Sequence, residues 1–331
     1  MILERIGDGP IIGPDLDQSI GDNIQGPSLI RVPEWVDGPL GRYYLYFADH
    51  KGRYIRLAYA DDPAGPYTVH ASGCLDLDNS CFPTEDFEID DEQLGAITRL
   101  YVEALGPGAQ RLDIASDVTA AHIASPDVHI DDHNRRIVMY FHGLESVATQ
   151  ISRCAVSTDG LDFTALSETV PNTYLRVFRH KMQSYGVAMP GIIYRLASSP
   201  TAPFPGLAGA QRVGSTFEPN MRHCAVKVVG DTLYVLWTRV GDTPESILLS
   251  TIDLTGPPAE WNATDGVVVL EPEHPYEGAD RPIVASVRSV AHGRVNELRD
   301  PCWFVDPDSG DEFVLYAVAG ESGIAIARIT G

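Results

Sequence analysis

Five short stretches of the 331-residue sequence open with residues able to do acid–base chemistry and to hold hydroxyl groups: Gln25 to Ser28, His122 to Asp127, Arg176 to His180, Glu218 to His223 and Glu297 to Asp300. Asp300 and Asp127 are the candidates for a base or nucleophile and a charge stabiliser, and Glu218 for a proton-donating acid. Arg299, Arg222, His223, His180, His122, His142, Asp49 and His50 are candidates for binding a substrate or tuning those carboxylates. Each has a plainer reading as a turn residue or half of a buried ion pair, because Asp beside Arg is also a structural pairing. Glu321 falls at another strand end, and Trp237 and Trp303 read as core packing.

The histidines offer a second chemistry. His50, His122, His142, His180, His223 and His292 are spread so that nearly every part of the repeat described below contributes one, and neutral imidazoles could meet around a zinc, iron or copper ion. No H-x-H or H-E-x-x-H spacing accompanies them. The carboxylate chemistry itself requires no cofactor.

These stretches are far apart in the chain, so something must bring them together. A repeated unit does: a short apolar strand with a polar start, a turn, an aromatic-rich strand, a second turn and a third alternating strand. The copies run Pro27–Val32, Tyr43–Asp49 and Tyr54–Ala60; Pro126–Ile130, Arg136–His142 and Gln150–Ser157; Leu175–His180, Tyr185–Met189 and Ile192–Ala197; His223–Val229, Thr232–Val240 and Ile247–Asp253; and Pro301–Val305, Glu312–Ala319 and Ile324–Ile329. Such meanders cannot bury both faces alone, and stacking them radially predicts an all-β, five-bladed β-propeller. One domain is expected over 1–331, with blades at about 24–74, 122–170, 174–200, 218–272 and 297–331 plus 1–7, and an insertion at about 75–121. The last unit stops after its third strand, so Ile2 to Ile6 is expected to close the ring as its outer strand. Asp91 to Leu105 has helical spacing, and Glu273 to Leu298 is a long connection that could cover the channel mouth.

Composition narrows the partners. Hydrophobic residues make up 44% of the chain, enough for a sizeable core, while the net charge of −22 and pI near 4.7 repel phosphate backbones and anionic lipids. Nucleic acid and membrane are therefore disfavoured, a small carbohydrate stays compatible, and the oligomeric state is left open. The start lacks a basic region followed by an apolar run, and no apolar run is long enough to span a bilayer, which reads as a soluble, cytoplasmic chain. Cys74, Cys81, Cys154, Cys224 and Cys302 form no C-x-x-C pair and read as reduced.

With Arg299-Asp300-Pro301 and Ser125-Pro126-Asp127 opening strands, the Tyr43–Phe47 aromatic strand, and the endings Ala58–Tyr67 and Ala155–Phe163, the chain resembles the five-bladed propeller glycosidases. That group includes the arabinanases and β-xylosidases of family 43, the fructosidases of families 32 and 68, and the mannoside phosphorylases of family 130. The resemblance implies cleavage of a glycoside by two carboxyl groups at the channel mouth. It also exposes a departure: where the group usually begins its first inner strand with an Asp-Pro pair carrying the base or nucleophile, this chain has Gly26-Pro27. Asp22 could supply a carboxylate from the loop, although beside Gly21 and Asn23 it reads more readily as a turn residue. A non-catalytic carbohydrate-binding propeller is the reading that Gly26 leaves open.

Overall fold

The computed structural model describes residues 1–197, 199 and 201–331, with backbone alone at 105–107. After β1 (Ile2–Arg5), the strands fall into five antiparallel sheets arranged as a five-bladed propeller. Blade one is β2 (Gln25–Arg31), β3 (Tyr43–Ala48), β4 (Tyr54–Ala60) and β5 (Thr68–Asp76). The insertion follows, with α1 (Asp91–Leu105) and α2 (Ile114–Thr119). Blade two is β6 (Ile123–Asp131), β7 (Arg136–Ser146), β8 (Thr149–Ser157) and β9 (Thr164–Val170). Blade three is β10 (Arg176–His180), β11 (Gln183–Ala188), β12 (Ile192–Arg195) and β13 (Gln211–Ser215), reaching beyond the expected end near 200; Ser198 and Pro200 lie outside the described residues. Blade four is β14 (Met221–Val229), β15 (Thr232–Arg239), β16 (Ile247–Asp253) and β17 (Val267–Leu270), and blade five is β18 (Arg299–Val305), β19 (Glu312–Ala317) and β20 (Ile324–Thr330) completed by β1.

The repeat works because each sheet buries both faces. Along β3 every residue is buried: Tyr44, Tyr46 and Ala48 pack toward blade two, and the alternate Tyr43, Leu45 and Phe47 toward blade five. Five apolar clusters fill the five seams between neighbouring blades. Ring closure is antiparallel, Ile2 facing Thr330 and Arg5 facing Ala327.

Four inner strands start with a register slip: between Gln25 and Ser28, Ala124 and Asp127, Met221 and Cys224, and Arg299 and Cys302. Gly26, Ser125 and Asp300, at matching positions, have positive φ, as does Tyr174 just before β10. A bulge of this kind re-aims the side chain it carries, here at the channel mouth. No helix among the described residues is long and apolar enough to cross a membrane, and all five cysteines are free.

Candidate functional site

The mouth is built around two buried arginines. Arg299 donates from Nε to Glu297 at 2.9 Å and from Nη1 to Glu321 at 2.7 Å, with Glu245 at 3.8 Å. Arg222 lies 3.4 Å from Glu245. Both guanidiniums also donate to the backbone carbonyls of Val287 and Ser289, so part of the Glu273–Leu298 connection lies across the mouth. Glu321 accepts from Asn23 at 2.8 Å and meets His50 Nδ1 at 3.0 Å. Burial alone would raise its pKa, but His50, Arg299 and Asn23 prevail and hold it well below the usual carboxylate range. Glu297 moves the other way, raised by burial and by neighbouring Glu245.

Asp300 differs from these three glutamates. It is 1% exposed and neither carboxyl oxygen has a hydrogen-bond partner among the described residues, although His223 Nδ1 is 3.2 Å from Oδ1. Burial, then Glu321, pushes its pKa up from 3.8 to about 7 against the pull of Arg222, Arg176 and Arg299. It therefore titrates around neutral pH instead of well below it.

A file of rings crosses the mouth beside it: His122 to His142 at 6.4 Å between centroids, His142 to Tyr174 at 4.4 Å, and Tyr174 to His223 at 4.6 Å. Burial lowers all three histidines, His122 to about 3, so these imidazoles are neutral. His122 Nε2, His142 Nδ1 and Gln25 Nε2 are buried without hydrogen-bond partners among the described residues. Unsatisfied atoms are costly in a folded interior, and several of them gather at the mouth.

Above the rings is a cavity of about 310 Å³, walled by Tyr174, Arg222, His223, Arg288, His50 and Asp117 among others. Asp117, on α2, accepts from Tyr101 at 3.0 Å, from Ser289 Oγ, and pairs with Lys51 at 3.2 Å. Burial raises its pKa, yet Lys51, Ser289 and His50 outweigh this and keep it low and ionised. Asp117 also borders a larger cavity of about 770 Å³, where Asp22, Asp49 and His292 are found.

The mouth thus brings together Asp300, Arg299, Arg222, His223, His122, His142 and His50, with Asp49 at its edge. Glu218 is exposed on the loop before β14. Asp127 borders a different opening, a cavity of about 270 Å³ lined by Ser28, Arg176 and Pro301, and its carboxylate accepts from the Val177 amide at 2.9 Å and meets His129 Nε2 at 2.8 Å. His180, at the far end of β10, pairs with Asp231. Trp237 is buried in the seam between blades three and four, and Trp303 packs against the seam between blades four and five. Among the described residues, no group of three or more His, Cys, Asp or Glu side chains could hold a metal ion.

Sequence reasoning missed Asp117, Glu245, Tyr174 and Arg288. Tyr174 stands immediately before the third inner strand, an offset that could have revealed it; no sequence signal marks Asp117. The structure also explains Gly26. A Cβ there would fall 2.9 Å from the Ser125 Cα, with φ at +65°, so the position has no room for the carboxylate that the resemblance implies.

No family model matches the chain. The uncharacterized protein R118 of Acanthamoeba polyphaga mimivirus is 32% identical over 330 residues, covering 93% of this chain and 83% of that protein. Among solved structures, an α-L-arabinofuranosidase from Lactobacillus brevis superposes with a TM-score of 0.57 at 11% identity, covering 95% of this chain and 93% of its own. A family-43 β-xylosidase/α-arabinofuranosidase from a compost microbial metagenome, in complex with xylotriose, gives 0.56 at 11% identity, covering 99% and 96%. At such identity the likeness is one of fold.

Proposed function

From the premise that the chain belongs to the same family as the mimiviral protein and shares the glycoside-hydrolase-like propeller, we propose that it cleaves a small carbohydrate or glycoside in the cavity at the channel mouth. The observation that carries this reading is Asp300: a buried carboxyl group whose oxygens have no hydrogen-bond partner among the described residues, which titrates around neutral pH and lies 3.2 Å from the cavity-lining His223. Glycoside cleavage needs one carboxyl group that gives a proton to the leaving oxygen and another, ionised, that takes one up or attacks. Asp300 is the source of the proton; its Oδ1 lies 3.2 Å from Nδ1 of His223, a residue that lines the cavity. Asp117 supplies the ionised carboxylate, replacing from the insertion the group that Gly26 cannot carry. Arg222 and His223, which line the cavity, bind hydroxyl groups. As the glycosidic bond breaks, the leaving oxygen takes the proton that originates on Asp300, and Asp117 takes a proton from attacking water.

Gly26 supports a second reading, a propeller that binds carbohydrate without cleaving it. A panel of aryl glycosides, assayed alongside sugar binding by calorimetry, separates the two. Turnover that is lost in both Asp300→Asn and Asp117→Asn supports the enzyme; binding without turnover supports the second reading; neither binding nor turnover retires both.

A further inference from the structure

Arg288 is out of place by the charge logic of this chain. At a net charge of −22, carboxylates are abundant, and the other cations at the mouth have found them: Arg222 with Glu245, Lys51 with Asp117, and Arg299 with Glu297 and Glu321. Arg288 lines the same cavity and forms no ion pair with a carboxylate among the described residues, although Glu245 attracts it at longer range. Its Nη1 donates to the Met189 sulfur at 3.4 Å and its Nη2 to the Pro219 carbonyl at 3.0 Å. A guanidinium has five N–H groups, so most remain unused. Burial, and then the neighbouring Arg222, depress its pKa, as expected of a partly buried charge beside a like charge.

Holding a partly buried guanidinium next to another without a hydrogen-bonded carboxylate is unfavourable, and a planar, forked donor is the side chain best suited to a carboxylate. Thr173 and Gln150, neutral and polar, line the same cavity and suit hydroxyl groups.

Resting on the reading of this cavity as a sugar site, we propose that its sugar carries a single anionic group, such as the carboxylate of a uronic acid, and that Arg288 is the residue that selects it. The neutral hydroxyls then lie toward the ring file, and the anionic group toward the loop that carries Arg288.

The test is binding to the full chain, measured by calorimetry or ligand-observed NMR, with five probes: glucuronate, galacturonate, glucose, galactose and glucose 6-sulfate. The expected result is a preference of about tenfold or more for an anionic probe over its neutral counterpart. Whether the uronates or the sulfate benefit more identifies the anion. The preference should fall toward unity in Arg288→Gln and return in part in Arg288→Lys. Neutral sugars binding as well as the anionic ones would overturn the role of Arg288 while leaving the sugar site standing. No sugar binding at all would overturn the site itself. If Arg288→Gln fails to fold, the wild-type preference alone decides.

Discussion

The two ends of the channel are made by the same five inner strands yet treat polar groups in opposite ways. At the end opened by Asp127, donors and acceptors join one blade to the next: Asp127 accepts from the Val177 amide, Ser28 Oγ from the Val128 amide, and Arg176 Nε donates to the Cys224 carbonyl. At the mouth, the side chains of Asp300, His122, His142 and Gln25 include buried atoms without hydrogen-bond partners among the described residues. The first pattern is how a ring is held together, and the second is how a ring receives a ligand. Residue type alone does not separate them, since both ends contain an aspartate near an arginine and a histidine.

The comparison is most severely tested at Arg299. Replacing it with Met leaves Glu297 and Glu321 buried without their cation, and should cost about 3–5 kcal/mol in urea unfolding. A loss within the range of an exposed pair would mean that the mouth is far wetter than its burial implies.

Asp300→Asn should lower turnover by about a hundredfold while raising stability at neutral pH. The sign follows from the raised pKa. Below pH 3.8 both the folded and unfolded chains hold the proton and the contribution to stability is fully present; it is lost as pH rises toward the folded value of about 7. The native chain should therefore lose stability on the order of a few kcal/mol between those limits, and the variant should lose less. Turnover in the native chain should fall above about pH 7 as the donor ionises. Parallel pH–stability curves for the two proteins would show that Asp300 is solvated after all.

Gly26→Ala should cost about 1–3 kcal/mol, through its positive φ and the close approach to Ser125. For the same reason Gly26→Asp should yield a less stable protein rather than a more active one; enhanced turnover in that variant would undo the steric account. The smallest effect is expected at the other end, where Asp127→Asn should change turnover by less than about threefold, because its carboxylate is occupied in joining blades. A collapse of activity there would merge the two ends into one site.

Much of the ring was legible in the sequence because a blade's inner and middle strands are buried on both faces and carry dense aromatic and β-branched runs, as in Tyr43–Ala48. The helix over Asp91–Leu105 and the closing role of Ile2–Arg5 were legible for the same reason: local pattern and an unfinished fifth unit. The outer strands were not. Thr68–Asp76 and Thr164–Val170 mix exposed, half-buried and buried residues without alternation, which suits an edge and erases the alternating signal. At the mouth, equivalent offsets drew attention to Asp300, Arg299, Arg222 and His223 together. They also drew in Asp127, since a shift of two residues along a strand moves a side chain nearly 7 Å along the channel. Asp117 and Arg288 come from the insertion and the long connection, whose positions depend on tertiary packing that no repeat encodes.

The pairing of β1 with β20 has a mechanical side. Because Ile2 faces Thr330 and Arg5 faces Ala327, a load drawn across the outer ends of these two strands peels their hydrogen bonds one rung at a time instead of shearing them together. Blade five would yield first under tension, at the seam where Ile12 and Ile24 bridge to Ile324 and Ser322. A force that peels β1 from β20 would thus open the circle at the outer edge of blade five, three strands away from Arg299 on β18.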